Sequence, residues 1–402
     1  MSGLLHVDAA DVAIARHMPR YDAVSVPLAE AAGRILRQPI HAGHDHPPFD
    51  RVMMDGIAVH WCEPLPRAFA IAGQQFAGTT GTTLDANRDS CIEIATGAML
   101  PDGCDCVIPI EQLRREGGRY LLMDDCQPRR GQFVHPRGSD CVAGSELLET
   151  GMRLGAPEMA VLASNGFANV EVAATPSIAI LSTGDELLAV DAQEQQAGSI
   201  RRSNDIAIAT ALRLHGFDRV VCEHVGDDRV ETEAMIGRLL AAHDVLILSG
   251  GVSKGQRDHV PAALQAHGVE RVFHGIAQRP GKPMWFGIGP RGQAVFALPG
   301  NPVSALVCTI RYVRPALLAA QGASRSLSGS AVLAEAVETS DTLTIFVPAR
   351  LHIDGDGRQI ATAVPTRTSG DFTALPRSDC VVELPVAGTR LPAGHVVAFH
   401  EW

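Results

Sequence analysis

Between residues 177 and 320, apolar runs of strand length alternate with segments of helical period, and this alternation constrains the fold more than any other feature of the chain. Strand-like runs fall at 178–182, 219–225, 245–248 and 271–275, and a hairpin follows at 284–288 and 294–298 around the turn Gly289-Pro-Arg-Gly292. Helical segments are predicted over 205–215, 230–243, 260–267 and 303–320. Within 230–243, Met235, Ile236, Leu239 and Leu240 form a stripe that faces a core. Strands alternating with helices over this length predict a mostly parallel, doubly wound sheet in a three-layer α/β domain. Ligands of such sheets gather at the carboxyl ends of the strands. The loops 183–187, 249–258 and 299–302 all follow strands, so they should share that edge.

The middle loop carries the most chemistry. Ser249-Gly-Gly-Val-Ser-Lys-Gly255 offers glycines that let backbone N–H groups converge on an anion, with Ser249, Ser253 and Lys254 adding donors and charge. Asp244 precedes the loop and Asp258 follows it. Acids on both sides of an anion cradle suggest that a metal or a proton is also handled. An ordinary Gly-rich turn between strand and helix is the plain alternative.

The flanking regions read differently. Residues 8–18 are predicted as a helix capped by Asp8, and residues 28–36 as a second helix after Pro27. A His-, Asp- and Pro-rich stretch at 41–48 marks a boundary, and residues 66–137 alternate short β-like runs with glycine turns, as a β-rich subdomain would. A basic patch of Arg129, Arg130, His135 and Arg137 ends at Asp140, and a helix is predicted near 156–164. After a polar linker at 324–330, runs at 343–347, 380–384 and 395–399 predict a small C-terminal β-barrel.

Composition bounds the partners. The 402 residues carry a formal net charge of −11, which disfavours nucleic acid held by a generally basic surface. No apolar run is read as reaching the roughly 18 residues of a membrane span, and the N-terminus lacks a basic-then-apolar signal pattern. Nine scattered cysteines, an odd number, point to reduced thiols and a cytoplasmic protein. Cys104-Asp-Cys106 has no second pair at zinc-site spacing and is read as structural.

Several loops together resemble one family, the molybdopterin molybdenumtransferases (the MoeA and gephyrin C-terminal family). The matching pieces are Pro47-Pro-Phe-Asp50, Met54-Asp-Gly-Ile-Ala-Val59, Ala95-Thr-Gly-Ala98 with Leu100-Pro-Asp-Gly103, and Ile180-Leu-Ser-Thr-Gly-Asp-Glu-Leu187. Further matches are Ile200-Arg-Arg-Ser-Asn204, Ser249-Gly-Gly-Val-Ser253, Pro280-Gly-Lys-Pro283 and Leu298-Pro-Gly-Asn-Pro-Val-Ser-Ala305. They run in family order along the chain. The resemblance implies a homodimer of four-part subunits: a linker domain (1–43 and 138–174), a β-rich subdomain (44–137), an α/β molybdopterin-binding domain (175–325) and a C-terminal β-barrel (326–402). It places the cleft between the α/β domain of one subunit and the β subdomain of the other.

The implied reaction is insertion of molybdate into adenylylated molybdopterin with release of AMP, assisted by Mg2+. Carried onto this sequence, the catalytic candidates are Asp55, Thr96, Asp140, Glu186, Asp244, Asp258 and Lys282. Glu186, Asp244 and Asp258 are the implied metal ligands. Ligand contacts fall to Ser249, Gly250, Gly251, Ser253, Lys254, Arg279, Pro299, Gly300, Asn301, Pro302, Ser304, Arg350 and Ser369. The residue types suit the task, since phosphates need cationic donors and a hard metal needs carboxylates. The chain departs from the commoner pattern at Arg51-Val-Met53, Lys254, Gln256, Gly275, His135-Pro136 and Pro348. Lys254 is expected to offset the cation missing at Gly275. Transient contact with a separate molybdopterin adenylyltransferase is expected. Two rival readings are a molybdopterin adenylyltransferase-like enzyme and a non-catalytic scaffold.

Overall fold

The run at 245–248 folds as the strand Val245–Ser249, buried at every position. Val245 and Ile247 join one hydrophobic core, and Leu246 and Leu248 join another, because successive side chains of a strand point to opposite faces. A strand covered on both faces has no polar side, so its sequence is continuously apolar. The computed structural model describes residues 3–79, 81–85, 88–193, 197–251, 259–324, 328–364, 368 and 370–402. The chain divides into two units, one comprising Met1–Gln38, Thr150–Met159 and Ala168–Trp402, the other Pro39–Glu149 and Ala160–Phe167.

In the first unit the α/β sheet has six strands, in the order Val220–Val225, Ile178–Thr183, Val245–Ser249, Ala294–Leu298, Trp285–Ile288 and Glu270–His274. The first four are parallel, and Trp285–Ile288 is antiparallel to both its neighbours. The helices Asn204–Arg213 and Pro302–Cys308 pack Ile208, Leu212 and Ala305 on one face. The helices Arg229–Ala242 and Val260–Ala266 pack Ile236, Leu239, Leu240 and Leu264 on the other. The three-layer, mostly parallel domain is as the alternation predicts. Asp228 caps its helix by accepting from the Glu231 N–H at 2.8 Å.

Other expectations are corrected. The first helix spans Val7–His17 with His6 at its cap position, and Asp8 lies inside its first turn rather than capping it. Val7, Ala10 and Ile14 of this helix pack into the α/β core. The second predicted helix is only a short 3-10 turn, Leu28–Glu30. Gly33 then takes a left-handed φ of 78°, and Ile35 and Leu36 bridge to Arg153 and Val172 instead. Those contacts bury two large side chains at full depth, which outweighs a weak local helix preference. Pro302–Ala320 is long and apolar enough to cross a membrane, contrary to the expectation from the sequence, but most of it is buried inside the protein. It runs as α-helix over Pro302–Cys308, π-helix over Thr309–Val313 and α-helix over Arg314–Ala320.

The C-terminal strands Thr344–Ile353, Gln359–Ala363, Ser328–Leu333, Val396–Glu401 and Cys380–Leu384 close into a five-stranded barrel, the last pairing back to the first. Cys380, Val382 and Leu384 point into its core, while Val381 points out against Val303, Val307 and Ile310 of the long helix. The short strand Gln278–Arg279 pairs with Thr344 and Ile345, so backbone also joins barrel to α/β domain. Between them Arg311, on the π-helical turn, donates two bonds of 2.8 Å to Asp11 and one of 2.8 Å to Glu383. Glu383 also pairs with His400 at 2.9 Å.

In the second unit a six-stranded sheet runs in the order Cys106–Pro109, Gly56–Val59, Ser90–Ile94, Ala68–Gln75, Arg119–Leu122 and Leu113–Glu116. Ala58, Ile92 and Val107 face one core, and Ile57, Cys91 and Ile108 face another. Cys104 and Cys106 are buried, and burial pushes both thiols up to about 12, so they stay protonated at neutral pH.

The ion network makes the barrel contact testable. Burial works to raise the Glu383 carboxyl, but the His400 hydrogen bond and the Arg311 guanidinium hold it below its ordinary value. Its stabilisation is therefore complete above an unfolded value of about 4.3 and is lost as pH falls through the lower folded one. Glu383→Ala should cost about 3 kcal/mol at pH 7, because it strips the buried Arg311 guanidinium of one of its two carboxylate partners. Denaturant unfolding checks this, and the difference from the unsubstituted protein should shrink below about pH 4.

Candidate active site at the strand ends

At the carboxyl ends of Ile178–Thr183, Val245–Ser249 and Ala294–Leu298 lies a cavity of about 560 Å³. Three loops form its wall: Thr183, Gly184 and Glu186 from the first, Ser249 to Gly251 from the second, and Pro299 to Pro302 from the third. The expectation that these loops share one edge is met for the described residues. Asn204, at the start of the helix Asn204–Arg213, ties the second loop to the third, donating to Ser249 Oγ at 2.8 Å and to the Gly300 carbonyl at 2.8 Å. His224 bonds to the Gly184 carbonyl at 2.9 Å, and Asp185 Oδ1 accepts from the Asp227 N–H at 3.0 Å. The first loop is thus fastened to the strand Val220–Val225 and to the turn that follows it.

Glycine is required in the second loop. Gly250 and Gly251 take φ of 100° and 66°. A Cβ on Gly250 would lie 2.9 Å from Thr183 Oγ1, and one on Gly251 would lie 2.7 Å from Val260 Cγ2. The Gly250 N–H donates to the Leu298 carbonyl at 3.2 Å, so that amide is not available to an anion, contrary to the idea that every amide of the loop serves. Ser253, Lys254 and Asp258 lie outside the described residues, as do Gln256 and Ser369.

Several site candidates are placed elsewhere. Asp244 precedes the strand Val245–Ser249, at the end opposite the cavity. Five residues at about 3.3 Å each put it about 16 Å from Ser249. Its carboxylate accepts from the Ser177 N–H at 2.8 Å and hydroxyl at 2.7 Å. Asp244 therefore locks two strand starts together and does not share a metal with Glu186. A loop that follows a strand and an acid that precedes it are close in sequence but separated by the strand's length. Arg279 and Lys282 are exposed, and only the neighbouring Pro283 reaches the described cavity wall. Ser304 is buried in the helix Pro302–Cys308, and Arg350 is exposed on a barrel strand opposite Thr362. Neither is among the described wall residues. Gly275, where a cation was expected, takes φ of 95°, and a Cβ there would sit 2.6 Å from Leu4.

The structure adds residues that the sequence reading passed over. Asp227 lines the cavity together with Glu186, and so do Arg202 and His259. The available signal for Asp227 was its place in the turn that follows the predicted strand at 219–225.

In the second unit, Asp55 Oδ1 accepts from the Thr96 N–H at 2.6 Å and the Thr96 hydroxyl at 2.8 Å. These two bonds hold the Asp55 carboxyl below its usual range. Asp140 pairs with His135 Nε2 at 2.8 Å, while Arg51 donates to His135 Nδ1 at 3.0 Å. Since arginine can only donate, His135 carries its proton on Nε2 and donates it to Asp140.

A relative named molybdopterin molybdenumtransferase, from Synechocystis sp., is 36% identical over 406 residues, covering 99% of this chain and 100% of its own. The chain belongs to the molybdopterin molybdenumtransferase family. A second relative of that name, from Nostoc sp., is 30% identical and covers 93% of this chain and 87% of its own. Family descriptions match in order along the chain: the MoeA N-terminal region (domain I and II) at 5–166, a probable molybdopterin binding domain at 179–319 and the MoeA C-terminal region (domain IV) at 330–402. A molybdopterin biosynthesis MoeA protein from Pyrococcus horikoshii superposes with a TM-score of 0.79 at 29% identity, covering 99% of each chain. In this family member the cavity falls in the segment matched as the molybdopterin binding domain.

Two substitutions probe these loops. Gly250→Ala should destabilise the protein by about 1–3 kcal/mol, because it forces a side chain into a left-handed backbone against Thr183; thermal melting checks it. Thr96→Val removes the hydroxyl but keeps the amide bond, so the Asp55 carboxyl should titrate higher, part of the way to its ordinary value. Carbon-13 NMR of the Asp55 carboxyl follows that midpoint.

Proposed function

We propose that this protein is a molybdopterin molybdenumtransferase, inserting molybdate into the dithiolene of adenylylated molybdopterin with release of AMP. The observation that carries the reading is the strand-end cavity, walled by the three family loops, in a chain that aligns from end to end with relatives of that name. Full-length likeness also disfavours the adenylyltransferase alternative, which needs only the α/β portion. A scaffold role fits less well with carboxylates gathered at a polar cavity.

The chain's own groups account for binding and orientation. Ser249 and the Gly251 turn meet the phosphates, and Pro299 and Gly300 offer a flat, close backbone to the pterin. Arg202 adds positive charge to the wall. Among the described residues no three His, Cys, Asp or Glu side chains form a ready-made ion cage. Glu186 and Asp227 both line the cavity, and Mg2+ is commonly held by one or two carboxylates plus substrate phosphates. This donor set fits Mg2+, with Glu186 and Asp227 as ligands and Asp258 as a third candidate. When bound, the ion would neutralise charge at the phosphoanhydride as it opens. Asp55, Thr96 and Asp140 remain candidate catalytic residues, and a homodimer is part of the proposal.

The purified protein, given adenylylated molybdopterin, molybdate and Mg2+, should release AMP and form active cofactor; chelation of Mg2+ should abolish this. Glu186→Gln and Asp227→Asn should each raise the Mg2+ concentration for half-maximal rate by about tenfold or more. A folded protein that releases no AMP would falsify the reading. Adenylylation of molybdopterin by ATP would support the alternative instead.

A further inference from the structure

The bonds around Asn204 carry an argument about how the cavity wall is polarised. Its side-chain nitrogen lies 2.8 Å from the Gly300 carbonyl oxygen and 2.8 Å from Ser249 Oγ. A carbonyl oxygen can only accept, so the amide must present its NH2 group to Gly300, and this fixes the orientation of the amide. The second N–H of that group then goes to Ser249. The Ser249 hydroxyl is therefore an acceptor at this contact, and its single proton must point elsewhere.

Ser249 is only 3% exposed, yet it forms part of the cavity wall. Among the described residues none accepts that proton. A buried hydroxyl with an unused donor is costly unless a ligand completes it. The loops joined by Asn204 also lie close together, since a Cβ on Gly300 would sit 3.6 Å from Gly250 Cα. One side chain thus sets both the polarity of a hydroxyl and the spacing of two loops.

We infer that Asn204 is a positioning residue: it fixes Ser249 as a hydrogen-bond donor to a phosphate oxygen of the ligand, and it keeps the Gly300 carbonyl engaged. The inference rests on the functional reading above, and it adds a residue that acts through Ser249 rather than on the reacting atoms. A carboxylate at 204 would reverse the arrangement. It can only accept, so it captures the Ser249 proton and confronts the Gly300 oxygen.

Affinity for adenylylated molybdopterin, measured by titration calorimetry, tests this in Asn204→Asp, Asn204→Leu, Ser249→Ala and the Asn204→Leu, Ser249→Ala double variant. Asn204→Asp and Ser249→Ala should each weaken binding about tenfold to hundredfold. With Ser249→Ala already present, Asn204→Leu should add less than about threefold, since coupled residues are not additive. Thermal melting separates loss of fold from loss of affinity. If an Asn204 variant does not fold, Ser249→Ala carries the test, and normal affinity in it overturns the inference. Equal losses from Asn204→Leu in both backgrounds, or normal affinity in Asn204→Asp, overturn the inference and leave the functional reading standing. An unsubstituted protein that binds no adenylylated molybdopterin overturns both.

Discussion

Val245, Leu246, Ile247 and Leu248 are buried on both sides of the α/β sheet, and much else in the first unit follows from that. A strand with two dry faces needs a helical layer on each, because neither face can be left to water. The helices Asn204–Arg213 and Pro302–Cys308 supply one layer, and Arg229–Ala242 with Val260–Ala266 supply the other. With the helices on the faces, the carboxyl ends of the parallel strands become the open edge. The glycine loops are there for a geometric reason, whatever ligand they meet.

The barrel is held to this domain by three kinds of contact at once. Val381 and Phe346 pack against the long helix, Gln278–Arg279 adds a backbone ladder, and Arg311 adds charge. The π-helical turn Thr309–Val313 carries Arg311 in the middle of a mostly apolar helix. A charge at that depth is tolerable because Asp11 and Glu383 approach from the first helix and the barrel. The same helix has the length and apolarity of a membrane span, and it is apolar because it crosses a protein core instead.

Local pattern served well where period and burial agree. The strands of the α/β sheet and the hairpin after residue 284 lie within a residue or so of the predicted runs, and the central ones are apolar from end to end. The helix expected at 28–36 does not form beyond its first residues, since Gly33 turns the chain and Ile35 and Leu36 find distant partners. Among the site residues, the first loop with Glu186, the Ser249 turn and the Pro299 loop were legible through their place after strands. Asp244 misled because closeness in sequence to a loop says nothing about which end of the strand an acid occupies. Asp227 was overlooked because a turn acid before a helix has an adequate local explanation, and the neighbouring Asp228 does serve as that cap.

By itself the sequence determined the layered α/β core, the β-rich region before it, the barrel after it and the edge of the sheet where chemistry would gather. These are matters of period and of which residues can be left in water, and both are local properties. Tertiary structure alone decided which acids face the same cavity, and that Arg311 clamps the first helix to the barrel. It also decided that the Asn204 amide commits Ser249 to donating outward. Those facts depend on side chains that are far apart along the chain, and only the packed fold brings their donors and acceptors within 3 Å of one another.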